Sequence, residues 1–105
     1  MTDETETPSE AEAFYDAEIA PALAALARTC AERGMNFVAV VEHDFGKVGL
    51  TRIKGVERAG PQFRVADTAA RALGNVDSLI LALIEDGREH GHNSMCLHQL
   101  TRKPR

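Results

Sequence analysis

Three of the four histidines and one of the two cysteines fall in a single short string, EHGHNSMCLH, residues 89–98. Imidazole and thiolate are the usual protein ligands of Zn²⁺ and related cations. If residues 92–98 are extended, His92, Ser94, Cys96 and His98 point to one side, because strand side chains alternate with period two. His90 can then add a ligand from the end of the preceding element. The metal candidates are therefore His90, His92, Cys96 and His98, with zinc as the implied ion. The spacing matches no common zinc-ribbon or zinc-finger pattern, and the chain has no C-x-x-C. Histidines just past a helix also have a plain structural explanation, since they interact favourably with its terminal carbonyls.

His43-Asp44 is a second place where chemistry could be done. A carboxylate orients an imidazole for proton transfer, although adjacent residues rarely form such a pair unaided. No nucleophile elbow, P-loop, glycine-rich dinucleotide fingerprint or paired-carboxylate signature occurs, so no catalytic residue is assigned. Arg102, Lys103 and Arg105 make too short a basic cluster to argue for nucleic acid.

The longest amphipathic pattern leads into the histidine string. Val65, Ala66, Ala69, Ala72, Leu73, Val76, Ile80, Leu83 and Ile84 recur at steps of three and four, which places them on one helical face. Gly74-Asn75 interrupts the run. As one helix, residues 62–89 would span about 42 Å. As two, Gly74 is a left-handed C′ residue and Asn75 an N-cap. The continuous apolar phase favours one helix, and the stop-and-start chemistry, with the length of a neighbouring strand, favours two.

Upstream, Ser9 can N-cap a helix over about residues 10–33, with Glu12 at the capping-box position and Gly34 as the stop. Tyr15, Ile19, Leu23, Leu26 and Cys30 mark its apolar stripe. Pro21 removes one hydrogen bond, and the stripe keeps its phase across it, so a kink is expected. NFVAVVEH, residues 36–43, reads as a strand with two apolar faces. Asp44-Phe45-Gly46-Lys47 reads as a turn with Gly46 at positive φ. Residues 48–53 read as an antiparallel second strand, 54–61 as a loop, and 94–100 as a third strand.

The expected fold is α+β: α-β-β-α(α)-β, a three-stranded sheet of order 2-1-3 with helices packed on one face. Residues 1–8 form an acidic disordered arm, 9–100 a single domain, and 101–105 a basic tail. Val40, Leu73, Ile80 and Leu83 are expected to be buried together.

The 105 residues carry a net charge of −4, unevenly spread: residues 1–18 hold seven acids and no Lys or Arg, and the remainder is net +3. Such a block is ordinarily a solvated tail, and otherwise an arm for a basic surface. The opening is acidic where a secretory leader is basic, no apolar run approaches membrane length, and the cysteines are few. A cytoplasmic protein with reduced thiols is expected.

The stretches DAEIAPALAALARTCAERGMNFVAVVEHD and GNVDSLILALIEDGREHGHNSMCLH resemble small proteins encoded in phages and prophages, over residues 14–98. The resemblance implies an accessory gene product that binds a host or phage macromolecule; it carries no catalytic or binding residue with it. Two functional readings stand. One is a small regulatory protein, homodimeric, acting by protein–protein binding. The other is a metal-binding domain or metal-dependent enzyme built on His90, His92, Cys96 and His98.

Overall fold

The computed structural model describes residues 7–53 and 59–102. The remainder of the acidic arm, most of the expected 54–61 loop and the last three residues of the basic tail lie outside the described residues. The chain divides into two compact units, Met1–Ala59 and Gly60–Arg105.

The first unit is a long helical segment with a β-hairpin. Ser9 N-caps α1 (Glu10–Phe14), its Oγ accepting a hydrogen bond from the Glu12 backbone N–H at 2.9 Å. A π-helical turn, Tyr15–Ile19, follows, and α2 (Ala20–Glu32) carries Pro21 in its first turn. The Ala20 N–H reaches back five residues to the Tyr15 carbonyl. One extra residue per turn just before Pro21 is how the helix passes a residue that cannot donate. That insertion shifts the apolar stripe: Ala27 is buried, whereas Leu26, expected on the buried face, is 51% exposed. Gly34 closes the helix at φ +73°. Its N–H donates to the Ala31 carbonyl and that of Met35 to the Cys30 carbonyl, the paired bonds of a Schellman stop.

β1 (Val38–Asp44) and β2 (Lys47–Arg52) form an antiparallel hairpin. Gly46 supplies the positive φ, +76°, and its N–H donates to the Glu42 carboxylate at 2.7 Å. The sheet has these two strands only among the described residues. Gly49 sits opposite Val41, and Tyr15 covers that face so closely that a methyl group on Gly49 would fall on its ring. Val40 and Leu50 pair on the other face, with Val40 half exposed at 49%.

Among the described residues, the elements of the second unit are all helices. α3 (Pro61–Ala72) begins on a proline, whose missing N–H would be unpaired there in any case. The chain reverses through Leu73 and Gly74, both at positive φ (53° and 85°). Asn75 then N-caps α4 (Val76–His90), its side-chain oxygen accepting from the Ser78 N–H. Residues 62–89 are therefore two helices. Arg64 bridges them, its Nε donating to the Asp86 carboxylate at 3.0 Å.

The expected third strand is a helix, α5 (Met95–Thr101), and the expected 2-1-3 sheet is not formed. Ser94 explains the difference: its Oγ accepts from the Leu97 N–H at 3.0 Å, the bond of an N-cap. Met, Leu and Gln behind that cap are good helix formers, and residues 95–100 contain no β-branched side chain. The joint burial expected for Val40, Leu73, Ile80 and Leu83 also fails. Leu73 is 64% exposed because it occupies the left-handed cap between α3 and α4, while Ile80 and Leu83 are half-buried.

Candidate functional site at the hairpin end of the first unit

The C-terminal histidine string disperses. His90 ends α4, with Nδ1 3.1 Å from Asp86 Oδ1. His92 lies in the turn after it, accepts a hydrogen bond from the Ser94 N–H at Nδ1, and lies over buried Gly87. Cys96 and His98 are exposed on α5. Two residues apart on a helix means about 200° of rotation, so the shared side that an extended segment would give them is lost. Among the described residues, these four supply no group of three donors close enough to share an ion.

A different set does converge. Glu12, His43 and Asp44 each place a donor atom within 4.8 Å of the other two. Glu12 comes from the first turn of α1 and the other two from the end of β1. Adjacent strand residues normally point to opposite faces. Here the register slips between Glu42 and Asp44, because Glu42 pairs with Val48 and Asp44 with Lys47. His43 is the unpaired extra residue of a bulge, a device that re-aims a side chain. His43 Nδ1 consequently lies 2.8 Å from Asp44 Oδ2.

The same Asp44 oxygen accepts from the Ser9 hydroxyl at 2.7 Å. These bonds, Ser9 first and His43 second, hold the Asp44 carboxyl below its ordinary value of 3.8, with smaller help from the charges of His43 and Lys47. Tyr15 backs the site, its ring centroid 5.3 Å from that of His43. Thr7, Pro8, Lys47 and Val48 complete a shallow, open depression around it.

This arrangement excludes one chemistry. Ser9 and His43 both bond to Asp44, so the carboxylate stands between hydroxyl and imidazole. A nucleophilic serine needs the imidazole between itself and the acid, and Ser9 is not so placed. What remains is a half-buried imidazole oriented by one carboxylate with a second carboxylate beside it. His43-Asp44 was legible as a pair; Glu12 was legible only as a capping residue, since its approach depends on Ser9 joining α1 to β1.

No family model, no curated protein and no solved structure matches this chain. Among the described residues, no helix is long and apolar enough to cross a membrane.

Proposed function

We propose that the protein is a small accessory or regulatory protein that works by protein–protein binding, as a homodimer, through apolar surface left open on its folded units. The observation that carries this reading is the imbalance of the core. Among the described residues, Tyr15 and Ala27 are the buried hydrophobic side chains, and no large side chain is fully enclosed. Phe14, Met35, Leu73, Val76, Leu81 and Met95 are meanwhile all more than half exposed. Extensive exposed apolar surface on a folded protein marks an interface, and two-fold dimers are the commonest closed way of covering it.

Two features of the first unit support it. A two-stranded sheet is marginal alone and presents strand edges on which a partner strand can pair. Phe45, at the hairpin tip, is wholly exposed at 101%, and an aromatic side chain so placed is the type that anchors interfaces. The resemblance to phage-encoded proteins makes a host or phage macromolecule the candidate heterologous partner of the same surface.

Sedimentation at micromolar concentration tests the proposal. A species of twice the 11.4 kDa chain mass is expected. A single species at the chain mass that persists as concentration rises overturns it.

A further inference from the structure

We propose that Glu12, His43 and Asp44 form a divalent-metal site that takes Zn²⁺ through one nitrogen and two carboxylate oxygens. Three donors from positions 12, 43 and 44 already lie within 4.8 Å of one another. In a tetrahedral zinc site, ligands about 2.1 Å from the ion stand about 3.4 Å apart. His43 Nδ1 and Asp44 Oδ2, 2.8 Å apart, are at hydrogen-bond distance. A cation replacing the proton between them requires them to part by roughly half an ångström, and Glu12, with a donor already within 4.8 Å of both, closes on the ion by rotating on its own side-chain torsions.

The donor set selects the class of ion. Ca²⁺ and Mg²⁺ prefer shells of oxygen, with six or more ligands about the ion. An imidazole with two carboxylates suits a borderline ion, and three protein ligands leave a position open to water. Charge points the same way: Glu12 and Asp44 bring two negative charges together, and Lys47, paired across the hairpin from Asp44, offsets one. A divalent cation removes the repulsion between the carboxylates. The site is also braced from outside its ligands. Ser9 holds Asp44 through the 2.7 Å bond, and the Tyr15 ring lies beside His43, which is the outer support that orients ligands in metal sites.

The test is titration of the full untagged chain with Zn²⁺ by calorimetry and with Co²⁺ by visible absorption. One equivalent should bind, with a cobalt spectrum of nitrogen and oxygen ligation and no thiolate charge-transfer band. Glu12→Gln keeps the side chain's size and the Ser9 backbone cap, and should weaken Zn²⁺ binding at least tenfold. His43→Gln should abolish it. The exposed pair Cys96→Ser/His98→Ala should leave the affinity unchanged. Zn²⁺ should also raise the thermal midpoint of the wild type and not that of Glu12→Gln. Absence of binding, unchanged affinity in Glu12→Gln, or a thiolate-to-cobalt band overturns the assignment, and none of these outcomes depends on the oligomeric state.

Discussion

The Ser9 hydroxyl donates to Asp44 Oδ2 at 2.7 Å while its oxygen accepts from the Glu12 N–H at 2.9 Å. One side chain thus caps the first helix and fastens it to the end of β1, 35 residues away in sequence. Ser9→Ala should lose about 1 kcal/mol from the cap alone. It should also release Asp44 toward its ordinary acidity, which a carboxyl-detected NMR titration would show. An Asp44 titration unmoved by Ser9→Ala would refute the link.

Acid stability follows from the same contact. The native Asp44 carboxyl is held below 3.8, so the unfolded chain binds a proton there more readily than the folded one. Its contribution is fully present above 3.8 and is lost as pH falls through the lower native value. The acid-unfolding midpoint should therefore move upward in Asp44→Asn, which lacks the stabilising ionised form. Circular dichroism between neutrality and pH of about 2 measures it, and coincident acid curves for the two proteins would contradict the assignment.

Gly49 faces the Tyr15 ring with no room for a further carbon. Gly49→Ala forces the ring or the hairpin to move, an overpacking change of about 1–3 kcal/mol. Tyr15 is the single tyrosine and tryptophan is absent, so intrinsic fluorescence reports this position directly. A destabilised protein with altered tyrosine emission is expected. Wild-type emission and stability together would mean that Tyr15 does not lie on the sheet.

Local stop signals were the most legible part of this sequence. Gly34, Gly46 and Asn75 each act as their residue types suggest, because a cap or turn depends on a few neighbouring atoms. The expected third strand is a helix because a short apolar segment after a turn fits either state, and here the Ser94 cap and the helix formers behind it favour a helical turn. Leu26 and Ala27 exchanged places because a π turn adds one residue to the helical phase, which a fixed 3.6-residue period does not anticipate. The Glu12 contact with His43-Asp44 was illegible because it joins distant segments through a bulge and a serine cap.

Leu73 adopts φ 53° with 64% of its surface exposed. A non-glycine residue in the left-handed region carries roughly 1–2 kcal/mol of strain, and little burial offsets it here. Leu73→Gly should therefore raise stability by about 1 kcal/mol, equivalent to a midpoint several degrees higher for a chain of about this size. A Leu73→Gly protein that melts earlier would show that the leucine packs against something, a partner surface included.

Phe45 separates binding from folding. Wholly exposed at the tip of the hairpin, it contributes nothing visible to the core, so Phe45→Ser should leave the thermal midpoint of dilute protein within about a degree. If the hairpin tip anchors the proposed dimer, the same change should weaken association by more than tenfold, in the range of an interfacial hot spot. Concentration-dependent sedimentation of the two proteins makes the comparison, with the dilute thermal melt as the control for folding. Equal dimer dissociation constants would remove Phe45 from the interface and leave the sheet face around Val40 and the exposed helical residues as the surface to mutate next.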